Sequence, residues 1–117
     1  MKLGGAKSMI RVEGPDDRYG IQQALDLGVD GILVPYVNNA EDVRRAVSFM
    51  MYPGYEGKEG TRSLYLNIRK TFKAGGGAMG MMVQHPDTNR DVIIACQIET
   101  ASALDHIEVR YALEVCL

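Results

Sequence analysis

The sequence predicts an α/β fold built on parallel strands, and three observations carry that prediction. Short apolar runs recur without the polar alternation of a half-exposed strand, segments with helical spacing separate them, and the connections are short. Strand, crossover helix and strand in that order imply parallel pairing through right-handed crossovers. A barrel and a doubly wound sheet share this pattern, and periodicity alone does not choose between them.

The first strand is Met9-Ile10-Arg11-Val12. From Asp17 to Leu27, the residues Ile21, Ala24, Leu25 and Leu27 recur at helical spacing, and Gly28 supplies the stop. The second strand is Gly31-Ile32-Leu33-Val34. After it, Asn39-Ala40-Glu41-Asp42 joins a capping residue to acids in a first turn, and Ala40, Val43, Ala46, Val47 and Met50 line one helical face. Tyr52-Pro53-Gly54 ends that helix. A polar loop leads to a predicted helix from Arg62 to Lys73, and the run Gly75-Gly76-Gly77-Ala78-Met79-Gly80 breaks regular structure, so residues 75–90 read as a mobile insertion. Val92-Ile93-Ile94-Ala95-Cys96-Gln97-Ile98 forms the third strand, and a further helix opens at Thr100-Ala101-Ser102.

With 117 residues, 46% of them hydrophobic, the chain has room for one globular domain. A complete eight-stranded barrel needs about 200 residues, so only about three or four βα units fit. The net charge of −2 is spread over interspersed acids and bases, which disfavours nucleic acid and a membrane surface as partners. Met1-Lys2-Leu3-Gly4-Gly5-Ala6 does not resemble the start of a secretory leader, no stretch approaches the ~18 apolar residues of a span, and a cytoplasmic location is expected. Cys96 and Cys116 form no CxxC and no metal-ligand spacing with His85 or His106, so both read as reduced, packing thiols.

In parallel α/β folds the chemistry gathers at the C-terminal ends of the strands. The polar residues there are Arg11, Asn38, Gln97 and Glu99. An arginine inside an apolar strand needs an anionic partner; its planar fork suits a carboxylate such as that of an α-keto acid, and a structural Asp or Glu serves equally on sequence alone. Glu99, at the end of an apolar strand, is placed either as a hard-metal ligand or as an acid stabilising the helix that starts at Thr100. Gly75-x-Gly77-x-x-Gly80 matches a dinucleotide fingerprint in letters only, since it follows a polar helix rather than a strand. No serine sits in GxSxG, neither histidine has triad partners, and the methionines read as packing residues.

Met9-Ile10-Arg11-Val12, the stretch from Ala24 through Val34-Pro35-Tyr36-Val37-Asn38-Asn39-Ala40-Glu41-Asp42, Tyr52-Pro53 and Gln97-Ile98-Glu99-Thr100 together resemble the HpcH/HpaI aldolase family. The resemblance covers most of residues 9–107. It implies a partial (β/α)8 TIM barrel of about three parallel strands with crossover helices, residues 1–117 being a fragment that lacks N-terminal and C-terminal strands. It also implies a class II aldolase that uses Mg²⁺ or Mn²⁺ to cleave 4-hydroxy-2-oxo acids to pyruvate and an aldehyde. By position, Arg11 resembles the arginine that holds the keto-acid carboxylate and oxyanion, Gln97 the pocket glutamine, and Glu99 the first of two acidic metal ligands. Gly60-Thr61-Arg62-Ser63 resembles a family loop motif, in which Arg62 either binds the substrate or only orders the loop over the site. The family's histidine base and second metal carboxylate fall outside the matching segments, so the isolated chain is expected to be inactive and the full-length form a homo-oligomer acting on a pyruvate- or oxaloacetate-like 2-oxo acid. A citryl- or malyl-CoA lyase and a non-catalytic interaction domain are the alternatives.

Overall fold

A computed structural model describes residues 4–53, 60–63 and 89–106. Its elements are β1 (Met9–Arg11), α1 (Arg18–Asp26), β2 (Gly31–Val34), α2 (Ala40–Met50), β3 (Ile93–Cys96) and a short α3 (Ala101–Leu104). The strands form one parallel sheet in the order β1-β2-β3. Met9 pairs with Gly31, and Gly31 with Ile93, so the three strands start level. The predicted α/β class and parallel pairing are therefore present. The predicted helix at 62–73 and the insertion at 75–90 lie largely outside the described residues.

Each helix begins where its sequence supplies an acceptor for free backbone donors. Asp17 caps α1 by accepting from the Gly20 amide at 2.8 Å, and Asn39 caps α2 by accepting from the Asp42 amide at 2.9 Å. Asp42 returns a bond, accepting from the Asn38 amide at 3.0 Å. Gly28 ends the first crossover with a φ of 90°, a left-handed conformation that costs glycine nothing, and its amide donates to the Leu25 carbonyl at 3.0 Å.

Apart from Leu27, which is exposed, the apolar faces foreseen from spacing meet in one core. Ile21, Ala24 and Leu25 of α1 and Val43, Ala46, Val47 and Met50 of α2 are buried with Ile32 and Val34 of β2. Only β2 behaves as a doubly covered strand. Within this chain Met9 and Ile10 of β1 are exposed and β3 is half-buried throughout, so of the three apolar runs read as buried strands the three-stranded sheet by itself covers the second. The physical reason is position in the sheet, since β1 and β3 are its edges and continuous hydrophobicity does not say which strand ends up central. Among the described residues no helix is long and apolar enough to cross a membrane.

Candidate active site at the C-terminal strand ends

Arg11 is the last residue of β1, and Gln97 and Glu99 follow the end of β3, on either side of the central strand. The ladder continues past β3, with the Gln97 amide donating to the Val34 carbonyl at 2.8 Å and the Val37 amide donating to the Gln97 carbonyl at 3.2 Å. Gln97 is thereby fixed to the sheet. Its side-chain Oε1 accepts from Arg11 Nε at 2.9 Å, which orients the guanidinium plane. Arg11 Nη2 then stands 4.0 Å from Glu99 Oε1, an ion-pair separation rather than a hydrogen bond. Three residues up to 88 positions apart, each expected at the site, converge on one point.

Arg11 differs from expectation in one respect. Its side chain is 50% exposed, so it is not a buried charge that demands compensation. The long stem runs out toward solvent and leaves the side chain open to an incoming anion. Glu99, 31% exposed, is not the helix acid either. Thr100 is the N-cap of α3, accepting from the Ala103 amide at 3.2 Å. The Glu99 carboxylate turns instead toward β1 and β2, where Oε2 accepts from the Tyr36 amide at 3.3 Å.

Asn38 is brought to the same end and is absorbed by structure. Its Nδ2 donates to the Tyr36 carbonyl at 3.2 Å, and its Oδ1 accepts from the Thr100 hydroxyl, tying the β2–α2 loop to the start of α3. The Ser102 hydroxyl lies 3.2 Å from that of Thr100. Tyr36, Thr100 and Ser102 had no role at the site assigned from sequence. The only available signal was the position of Tyr36 inside Val-Pro-Tyr-Val-Asn and of Thr100 at the end of Gln-Ile-Glu-Thr, with Ser102 two residues further on.

Arg62 has partners of its own outside this cluster, in keeping with the reading in which it orders the loop. Its guanidinium pairs with Asp26 at 3.1 Å and stacks over the Tyr52 ring at 4.4 Å, and its amide donates to the Met51 carbonyl at 2.9 Å. Asp26 ends α1, which leads into the start of β2, so Arg62 is anchored toward the opposite end of the strands. The motif Gly60-Thr61-Arg62 carries an arginine with a structural partner, and nothing in its local pattern distinguishes that from a substrate clamp. Burial pushes the Tyr52 hydroxyl above its ordinary range, with the Arg62 charge pulling the other way. Cys96 in β3 is pushed up to about 11 by burial, consistent with a reduced, packing thiol; Cys116 and His85 lie outside the described residues.

A half-exposed guanidinium beside a partly exposed carboxylate, cross-braced by an amide, can bind an anion on one arm and a cation on the other. Glu99 fits a hard cation as one oxygen ligand. Among the described residues no group of three or more His, Cys, Asp or Glu could hold a metal ion, so other ligands would come from substrate, water or other parts of the protein.

The sequence matches the HpcH/HpaI aldolase/citrate lyase family over residues 1–114. It is 36% identical over 104 residues to the 2-dehydro-3,6-dideoxy-6-sulfogluconate aldolase of Pseudomonas putida, covering 89% of this chain and 37% of that enzyme. It is 34% identical over 109 residues to the 4-hydroxy-2-oxovalerate aldolase of Novosphingobium aromaticivorans, covering 92% of this chain and again 37% of the relative. The structure superposes on a crystal structure of an HpcH/HpaI aldolase/citrate lyase family protein from Burkholderia cenocepacia with a TM-score of 0.68 at 24% identity, over 86% of this chain and 37% of the other. The chain thus spans little more than a third of the length of these proteins, and its sheet corresponds to part of a larger fold.

Proposed function

This chain belongs to the HpcH/HpaI aldolase/citrate lyase family, and from that premise we propose that it contributes part of the active site of a divalent-metal-dependent aldolase acting on 4-hydroxy-2-oxo acids. The observation that carries the reading is the convergence of Arg11, Gln97 and Glu99 at the C-terminal strand ends. The relatives, which bear the names of aldolases of oxo acids and sugar acids, support the reaction class. The proposed barrel is completed by strands outside residues 1–117, which would also supply the base and a second metal carboxylate.

Retro-aldol cleavage breaks the bond between C3 and C4 of the oxo acid, and the electron pair flows into the C2 carbonyl as the enolate of pyruvate. The proton of the 4-hydroxyl leaves to a base, and the aldehyde departs. Arg11 would bind the substrate carboxylate with its open face and stabilise the negative charge that grows on the neighbouring oxygen, a preorganised charge of the kind that dominates such catalysis. Gln97 would keep that guanidinium in plane. Glu99 would hold Mg²⁺ or Mn²⁺, which when bound supplies further positive charge beside the keto oxygen.

The test is cleavage of 4-hydroxy-2-oxovalerate by the full-length protein, read as pyruvate release with and without a chelator. Pyruvate release that EDTA abolishes and Mn²⁺ restores is expected. Activity that survives full chelation would overturn the metal reading, and turnover only of a CoA thioester would move the protein to the citrate lyase side of its family.

A further inference from the structure

Among the described residues Tyr36 is the one non-glycine residue with positive φ, at 55°, and it sits where β2 ends, between Arg11 and Glu99. Side chains seldom adopt this left-handed conformation, and aromatic ones gain nothing locally from it. Both neighbours impose it. Pro35 is fully buried with its φ locked by the ring, and Val37 is fully buried with its amide bonded to the Gln97 carbonyl at 3.2 Å. Tyr36 cannot relax without pulling one of them from the core. Tyr36 meanwhile stands 56% exposed, so packing of the side chain does not account for the turn.

What the turn does achieve is to aim a backbone donor. The Tyr36 amide points at Glu99 Oε2 at 3.3 Å, and its carbonyl is pinned by Asn38 Nδ2 at 3.2 Å. We infer that Tyr36 is a positioning residue, whose enforced left-handed backbone holds the Glu99 carboxylate in the orientation that binds a divalent cation. The inference rests on the proposed metal role of Glu99, and it locates functional strain at a site where strain commonly gathers. Outer partners that orient a ligating carboxylate typically alter metal affinity about 10–100-fold when lost.

Three substitutions separate backbone from ring. Tyr36→Gly and Tyr36→Asn tolerate the left-handed region without the aromatic group, and Tyr36→Val, β-branched, resists it. Mn²⁺ binding to the full-length protein, measured by calorimetry with the metal alone, is expected to stay within a few-fold of wild type for Gly and Asn and to weaken about 10–100-fold for Val. Equal loss in all three variants would assign the effect to the ring and overturn the inference; unchanged binding in Val would overturn it too. A second measurement needs no metal. Amide hydrogen exchange at residue 36 is expected to accelerate about 10-fold in Glu99→Ala, since that carboxylate is its acceptor, and unchanged exchange would refute the contact. Accelerated exchange in Glu99→Ala together with a wild type that binds no Mn²⁺ would keep the positioning and overturn the metal role.

Discussion

Removing the Arg62 guanidinium should be among the most damaging single changes in this chain, although Arg62 lies away from the candidate site. Its side chain is 1% exposed and Asp26 is 13% exposed, so the pair at 3.1 Å is shielded from water on both sides. Arg62→Ala strands the Asp26 carboxylate in that environment. Breaking a buried pair by deleting one member costs about 3–5 kcal/mol. Loss of the stacking over Tyr52 at 4.4 Å overlaps with that figure, because a desolvated cation–π contact contributes up to about 2 kcal/mol of the same local energy. A net loss of about 3–5 kcal/mol is expected, read as a drop in the urea midpoint at unchanged slope. Arg11→Ala is the control. Its pair with Glu99 is 4.0 Å long and half exposed, so less than about 1 kcal/mol should be lost. Arg62→Met with Asp26→Leu should recover most of the loss, since it removes both charges, and Arg62 Nε has no hydrogen-bond partner to give up. A cost below about 1 kcal/mol for Arg62→Ala would show that the guanidinium is solvated and refute the assignment.

Three further outcomes follow from the described packing. Gly31→Ala would put a Cβ 2.8 Å from Ile93 Cβ and 2.9 Å from the Ile93 carbonyl, forcing β2 and β3 apart, and should cost about 1–3 kcal/mol in the same urea titration. Asn39→Ala removes the acceptor for the Asp42 amide and should lower stability by about 1 kcal/mol, seen as an earlier thermal loss of helical ellipticity. Cys96 has a folded value of about 11 against 9.0 for a free thiol, so its contribution to stability is complete below pH 9 and fades as pH rises toward about 11. In a Cys116→Ser background, reaction with a disulfide reagent should be slow at pH 8 and speed up through that window; free-thiol reactivity at pH 8 would contradict the burial of Cys96.

Local signals and long-range consequences differed in how far they could be read from sequence. The cap at Asn39, the stop at Gly28 and, apart from Leu27, the apolar faces of both long helices are decided by residues within one turn, and they stand where spacing places them. The burial of each strand depends on neighbours far along the chain, and Met9-Ile10 reads like a core strand while lying exposed at an edge. The candidate site divides in the same way. Arg11, Gln97 and Glu99 were legible because parallel topology sends polar strand ends to one place. The two readings of Arg62 could not be separated, because its partner, Asp26, lies 36 residues earlier and no periodicity links the two. Tyr36 escaped notice because its role lies in a backbone dihedral angle, and no side-chain pattern records a left-handed tyrosine.

The most direct measurement is exchange of the pyruvate methyl protons in D₂O, followed by NMR in the full-length protein with Mn²⁺, for wild type and Arg11→Lys. Enolate formation is the half of the reaction assigned to Arg11, and the lysine keeps the charge while losing the planar fork that Gln97 orients. Exchange in wild type that falls about 100-fold or more in Arg11→Lys is the expected result, the scale of losing one preorganised donor to a developing oxyanion. Exchange at the wild-type rate in the variant would contradict the assignment of the Arg11–Gln97–Glu99 cluster as the enolate site.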